Sequence, residues 1–308
     1  MKNKRAYINP VAVAEYIKER KHFNYKIRGE RAIKYGKIRS GTTVLDLCCG
    51  PGLVAEVIKA KYENDVKIVG IDISDDFIKY ARDNYGDRNT DFITGNVEDL
   101  DKIVGNQKFD SILLLASWLW IKNKEKVLSY ISTLLSPSGV FVISISSDDL
   151  NDPKTKDFYW KYRDNLKAEI KDRDPLADTG YFRKLPVIDD NCINKVVKQI
   201  TGCGFTLKSN NEESRILSPE DKLFTYNNPA RTEWVGDFSP RIRLEIIKKA
   251  LYKTAKEIKG FSCIKRHTYY LVFNKSIRRG STHWIKYLVI ISHGSKSRDR
   301  TLFRKSYS

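Results

Sequence analysis

The chain has 308 residues, 41% hydrophobic and 11% aromatic, enough for a substantial core in one large domain or two modest ones. No run approaches the roughly 20 apolar residues of a membrane helix, and Met1–Arg5 precedes no apolar signal core, so a cytoplasmic protein is expected. The net charge of +18 points to nucleic acid until it is located: residues 1–40 carry +9 and residues 276–308 carry +7, leaving +2 for the body between.

Ahead of the body, Pro10–Lys21 and Tyr25–Lys37 read as two short amphipathic helices. From Val44 to Val142 short β-branched runs alternate with helix-length amphipathic stretches, the pattern of a parallel sheet with right-handed crossovers. Strands are expected at Val44–Leu47, Lys67–Ile71, Asp91–Thr94, Ser111–Leu115 and Val140–Ser144. Helices fit between them at Leu53–Lys61, Asp75–Tyr85 and Lys124–Leu135, the last stopped by Ser136-Pro137-Ser138-Gly139. Two later strands, Phe205–Ser209 and Thr268–Asn274, make an α/β sheet of seven. Helical stretches at Lys154–Lys171 and Pro240–Ile258 lie near strand carboxyl ends, where open α/β sheets bind ligands, so insertions near 147–188 and 212–262 read as a cap or as added core. Their aromatics Tyr159, Trp160, Tyr162, Tyr181, Phe224, Tyr226 and Trp234 suit an apolar or planar small substrate, or core packing.

The first strand runs into Asp46-Leu47-Cys48-Cys49-Gly50-Pro51-Gly52. Strand, acid, small-residue turn and helix together form a cradle for a nucleotide-like cofactor. Gly50-Pro51-Gly52-Leu53-Val54-Ala55 fits a dinucleotide pattern, with Asp72 at the spacing that pattern asks of a ribose ligand, so NAD is one reading. Asp46 argues for another, because a carboxylate there repels a pyrophosphate but suits the ammonium and sulfonium of S-adenosylmethionine. Cys48, Cys49, Cys192, Cys203 and Cys263 show neither Cys-x-x-Cys spacing nor a disulfide framework, which suits a reducing compartment; no metal site is expected.

Further segments follow in order: Gly70-Ile71-Asp72, Thr94-Gly95-Asn96-Val97-Glu98-Asp99-Leu100, Phe109-Asp110-Ser111-Ile112-Leu113 and Leu134-Leu135-Ser136-Pro137-Ser138-Gly139. With the first turn they make the chain, over roughly Val44–Lys275, resemble the class I S-adenosylmethionine-dependent methyltransferases, nearest their small-molecule type. The resemblance implies a Rossmann-like, doubly wound sheet of seven strands with the last antiparallel and with helical cap insertions. It also implies a cofactor site: Asp46, Cys48, Gly50 and Gly52 at the methionine part, Asp72 with Ile73 at the ribose, Asn96 and Val97 at the adenine, and Leu115 at the end of the fourth strand. The N-terminal 1–40 segment would be a lid; by position alone, Tyr25 and Arg28 are candidates to reach the cofactor carboxylate, with a surface role the alternative for Arg28. The family usually has Gly at Cys48 and Asp at Asn96; the first departure keeps a small turn residue, and the second trades a charge-assisted bond for an amide oxygen toward the adenine amino group.

Methyl transfer is an in-line displacement, so alignment and exclusion of water are the main demands and a dedicated base is optional. His267 and Tyr181 are candidates to touch substrate or to be structural; no base is named. After the fourth strand, Leu115-Ala116-Ser117-Trp118-Leu119-Trp120 lacks the Pro-Pro-aromatic signature of base-amine methylation, the Pro-Cys nucleophile of cytosine-C5 enzymes and an acid pair of the arginine-methylating kind. A small-molecule acceptor methylated at O, N or C is the first reading. An RNA methyltransferase clamping with basic ends is the second, and cofactor binding without turnover the third. The tail 276–308, with its apolar run Trp284–Ile291 between Arg278, Arg279 and later cations, reads as a disordered appendage, an added edge strand or a peripheral membrane contact.

Overall fold

The computed structural model describes residues 10–23, 25–179, 190–227, 232, 235–258 and 264–276. In chain order these form α1 (Pro10–His22), α2 (Lys26–Tyr35), β1 (Thr43–Leu47), α3 (Leu53–Tyr62), β2 (Lys67–Asp72), α4 (Asp75–Tyr85), β3 (Thr90–Thr94), α5 (Leu100–Ile103) and β4 (Phe109–Leu115). The second half continues with α6 (Lys124–Leu134), β5 (Leu135–Asp148), α7 (Pro153–Arg173), α8 (Asp190–Gly202), β6 (Phe205–Leu217), α9 (Pro219–Tyr226), α10 (Pro240–Glu257) and β7 (Ile264–Lys275).

The strands stand in the order β3-β2-β1-β4-β5-β7-β6. The first five run parallel, and β7 is antiparallel to both β5 and β6, giving the Rossmann-like sheet of seven with its last strand reversed. Successive side chains of a strand point to opposite faces. Leu45, Leu47 and Ile71 accordingly pack with Val127, Leu128 and Ile131 of α6 and Ile193, Val196 and Ile200 of α8. Val44 and Ile68 pack on the other face with α2, α3 and α4. Strand order reverses direction between β1 and β4, the switch point outside whose carboxyl ends open sheets bind ligands.

Several elements differ from expectation. Strand β6 runs to Leu217, through residues expected to open a cap, because Lys208–Arg215 alternate in exposure without any apolar alternation to reveal it. Strand β7 starts at Ile264, so His267 lies within it rather than before it. Ser136–Gly139 interrupts pairing instead of separating two elements: Phe109 pairs with Leu135 and Ser111 with Val140, and the residues between bulge out. Helices α8 and α9 were not foreseen, although Ser218 and Asp221 form a reciprocal capping box with Pro219 at the first turn of α9. Tyr181, Trp234, Cys263 and the tail from 277 lie outside the described residues. Among the described residues no helix is long and apolar enough to cross a membrane.

Helices α7, α9 and α10 gather beyond the carboxyl end of the sheet around a third apolar cluster that includes Phe158, Leu166, Ile246, Ile247 and Leu251. Helix α1 enters from the other side, seating Val13 and Ile17 on Phe77 of α4. It ends on the cap: His22 Nε2 lies 2.8 Å from Asp221 Oδ1, and its ring stacks on Phe224 at 4.1 Å. Below it, α2 crosses α3 so closely that a Cβ on Gly29 would stand 2.5 Å from Val57.

Asp148, the last residue of β5, joins sheet to cap. Its carboxylate meets Lys222 of α9 at 2.5 Å and Arg266 of β7 at 2.6 Å, and accepts from the Tyr159 hydroxyl of α7. Burial pushes the Asp148 carboxyl up, but Lys222 and Arg266 outweigh it and hold it well below the ordinary value of 3.8. A depressed carboxyl stabilises the fold above its unfolded value and loses that contribution as pH falls below it.

Two outcomes follow. Asp148→Asn leaves Lys222 and Arg266 without their anion and lowers unfolding stability by about 3 kcal/mol at neutral pH, read as a drop in urea midpoint at unchanged slope, with the difference from wild type shrinking below pH 3.8. Gly29→Ala costs about 1–3 kcal/mol through overpacking despite its better helix propensity, and Val57→Ala in the same chain recovers little of the loss in thermal melts, because the nearest atom is the Val57 Cβ at 2.5 Å, which alanine keeps.

Candidate active site

The turn after β1 requires left-handed backbone three times in five residues: φ is 57° at Cys48, 57° at Gly50 and 78° at Gly52. The two glycines serve different ends. A Cβ on Gly50 would meet nothing within 4 Å, so that backbone borders open space. One on Gly52 would stand 3.0 Å from Ala81 and the Phe92 ring, so that position is set by packing beneath the turn. Left-handed geometry costs a residue with a side chain about 1–3 kcal/mol, and at Cys48 its surroundings hold it. The Cys49 N–H donates to Ile71 O at 3.0 Å, and the Gly50 N–H donates to Asp72 Oδ2 at 2.9 Å. Burial raises both thiols, Cys48 and Cys49, above their usual range; they are packing groups rather than reactive nucleophiles.

Asp72 closes β2 and starts α4, its Oδ1 accepting from the Ser74 N–H at 3.0 Å. Burial raises its carboxyl against the lowering effect of the Ser74 and Gly50 amides. Asp46 is more extreme: 3% exposed, with Oδ2 lacking any hydrogen-bond partner, its carboxyl is pushed up to about 8 by burial and then by Asp72. An unpartnered buried acid beside another acid is a site fitted to a cation. Asn96 has a structural part besides the one expected of it. Its Oδ1 accepts from the Glu98 N–H at 3.1 Å and caps the turn Val97–Asp99, leaving a second lone pair and the Nδ2 amino group for a ligand.

A cavity of about 670 Å³ opens over these strand ends. Of the residues expected at a cofactor, Arg28, Cys48, Gly50, Asp72, Ile73, Asn96, Val97 and Leu115 line it together. Asp46 and Gly52 are not in the wall; Asp46 is buried, and Gly52 faces Phe92. Tyr16 and Arg20 of α1 and Tyr25, just ahead of α2, close one side. The Arg28 guanidinium lies 5.0 Å from the Tyr25 ring centroid, and burial pushes the Tyr25 hydroxyl up to about 12. Trp120, 70% exposed, stands at the rim, whereas Trp118 is core.

The cap supplies the far wall with Lys222, Thr225 and Tyr226, joined there by Arg215 and Arg266 of β6 and β7. None of these but Tyr226 was singled out in the sequence. Arg215 was hidden in a polar stretch with no strand signature, and the pairing that sets Arg215 opposite Arg266, and Arg266 opposite Asp148, is a long-range one. Of the other cap aromatics, Tyr162 stacks on Phe158 in the cap core, Trp160 lies under Arg163, and Phe224 holds His22. His267 is outside the wall, its Nε2 2.9 Å from Asp149 and its Nδ1 against Glu212.

The open backbone at Gly50, the cavity-facing Asp72 and the unpartnered Asp46 fit S-adenosylmethionine, whose ammonium and sulfonium need acids nearby and whose lack of phosphate spares it their repulsion. Comparison with known proteins agrees. Residues 38–217 match a family profile described as a methyltransferase domain. Malonyl-[acyl-carrier protein] O-methyltransferase 2 of Ilyobacter polytropus is 33% identical over 126 residues, 41% of this chain and 44% of its own length. Juvenile hormone acid O-methyltransferase of Bombyx mori is 34% identical over 109 residues, 35% and 38% of the two chains, so these matches span less than half of either relative. Among solved structures, a candidate methyltransferase of Bacillus halodurans C-125 superposes with a TM-score of 0.52 at 16% identity over 81% of this chain and 99% of its own, a likeness of fold alone. The chain belongs to the S-adenosylmethionine-dependent methyltransferase family.

Proposed function

We propose that the chain transfers a methyl group to an oxygen of a small-molecule acceptor held between the ends of β4 and β5 and the cap. The observation that carries this reading is the continuity of the cavity: one space of about 670 Å³ has the Gly50 turn, Asp72 and Asn96 on one side and Tyr226, Arg215 and Lys222 on the other. In-line displacement needs donor and acceptor in one water-poor space, and this volume falls in the usual range for small ligands, about 300–1,000 Å³. S-adenosylmethionine supplies there a methyl group activated by the sulfonium. The rest is the work of this chain's residues: Asp72 and the backbone at Gly50 bind, Asp46 balances positive charge from behind the wall, Arg28 offers a cation to a carboxylate, and Tyr16 and Tyr25 exclude water.

Oxygen is chosen because both named relatives are O-methyltransferases, one of a malonyl group and one of an acid. The small-molecule reading gains from where the N-terminal cations point. Arg20 and Arg28 face the cavity and Arg31 is paired with Glu213, so these three do not build an outward basic face for RNA.

Calorimetry with the two cofactors tests the reading. S-adenosylmethionine is expected to bind in the micromolar range and NAD not at all, with Asp72→Ala weakening the former at least tenfold, about 1.4 kcal/mol. Tight NAD binding would sink it.

Asp46→Asn has a double expectation. An acid whose folded pKa is raised destabilises the fold increasingly as pH climbs from its ordinary 3.8 toward about 8, so the amide raises the melting temperature of the free chain, more at pH 7.5 than at pH 5. The same change weakens S-adenosylmethionine binding at pH 7.5 by about tenfold through loss of the anion. Weaker melting together with unchanged binding would show that Asp46 plays neither part.

A further inference from the structure

The cavity wall is electrically divided. Its β1–β3 side carries Asp72 and Glu98, with Asp46 buried beneath the β1 end. Its β5–β7 side carries Arg215, Lys222 and Arg266. Lys222 and Arg266 converge on the single carboxylate of Asp148, so two of the three cations at this end share one acid.

Arg215 is the one left over. Among the described residues it has no ion-pair partner, its buried Nε has no hydrogen-bond partner, and its guanidinium rests 4.9 Å from the Phe23 ring centroid. Burial, then the neighbouring Arg266, Arg28 and Arg20, push the guanidinium down to about 10, the response of a cation short of counter-charge. A half-buried guanidinium in that state is stabilised by an anion, and the space it lines is the acceptor side of the cavity.

Among the described residues, that side offers no free base: beside the three cations stand Ser146, Thr225 and Tyr226, and Lys222, whose ammonium burial pushes down to about 8, is held on Asp148 at 2.5 Å. An amine would arrive as an ammonium ion and be repelled. A hydroxyl would arrive with its proton and find no base. A carboxylic acid, with an ordinary pKa of about 4, arrives already ionised.

We propose that Arg215 binds the carboxylate of the acceptor and that this carboxylate is the group methylated, so that the product is a methyl ester. The inference rests on the S-adenosylmethionine reading above. In the step, an oxygen lone pair of the carboxylate forms the O–CH3 bond while the S–CH3 bond breaks and its electron pair remains on sulfur. One anionic and one cationic reacting group become a neutral ester and a neutral thioether, and no proton moves. The ester offers Arg215 no charge, so the residue that admits the substrate releases the product.

The test uses the full chain saturated with S-adenosylhomocysteine and titrated calorimetrically with hexanoate, methyl hexanoate and hexyl phosphate, in wild type, Arg215→Gln and Arg215→Lys. Hexanoate is expected to bind wild type, to bind Arg215→Gln at least tenfold more weakly, and to recover in part in Arg215→Lys, while the ester responds to neither substitution. Unchanged S-adenosylmethionine affinity in Arg215→Gln shows that the variant is folded. With methyl-labelled S-adenosylmethionine, label is expected in a base-labile product from hexanoate and in none from hexylamine. Equal hexanoate binding in wild type and Arg215→Gln, a preference for hexyl phosphate, or label transferred to hexylamine overturns the inference while leaving the cofactor reading intact. Failure of wild type to bind S-adenosylmethionine overturns the cofactor reading and this inference with it.

Discussion

The buried acids at the ends of β1 and β2 set the terms for the rest of the molecule. Asp72 uses its two oxygens to hold the Gly50 and Ser74 amides, which fixes the left-handed turn on one strand and the first turn of α4 on the next. Asp46 has nothing comparable, and its neighbour's charge makes ionisation harder. Two carboxyls so placed are unfavourable in the free protein and become favourable when a cation arrives. Stability is given up at the point where the ligand binds, a common trade-off between stability and activity.

The cap answers with the opposite sign. Arg266 and Lys222 are tied to Asp148, which anchors α9 to the end of β5 and holds the cap in register over the strand ends. The same ion cluster that assembles the cap therefore fixes the direction of the field across the cavity. Helix α1, seated on Phe77 at one end and joined to Asp221 at the other, bridges the two poles and brings Arg20 between them.

What the sequence made legible follows from the physics of its strands. The central parallel strands β1, β4 and β5 are buried on both faces over most of their length and read as apolar runs, and the turn between Asp46 and Gly52 carries glycines whose conformations can be argued from chemistry alone. Strand β6 is an outer strand, and its Ser-Asn-Asn-Glu-Glu-Ser-Arg stretch has no such run, so its second half, Arg215 included, carries no strand signal in the sequence. Asp148, Lys222 and Arg266 are far apart in sequence, and nothing local marks any of them as a partner of the others. Asn96 shows the limit from the other side: its place in the cavity wall is legible from its position, whereas the bond its oxygen accepts from the Glu98 N–H is a local turn contact that the motif does not mark.

The absence of a named base, which looks like a gap in the chemistry when only the motifs are read, becomes consistent once the field is known. A base is needed where the nucleophile must be made anionic during the reaction; a wall of cations instead selects an acceptor that is anionic beforehand. Such a wall also slows any nucleophile it grips, because a guanidinium stabilises the charge that attacks. Surplus charge that is strong enough to admit an anion but not consumed in tight bidentate pairing is a compromise between the two demands, and the lone, half-buried Arg215 beside a self-contained Asp148 cluster has that form. Binding and reaction then draw on the same electrostatic gradient, running from the acids under the turn to the cations under the cap.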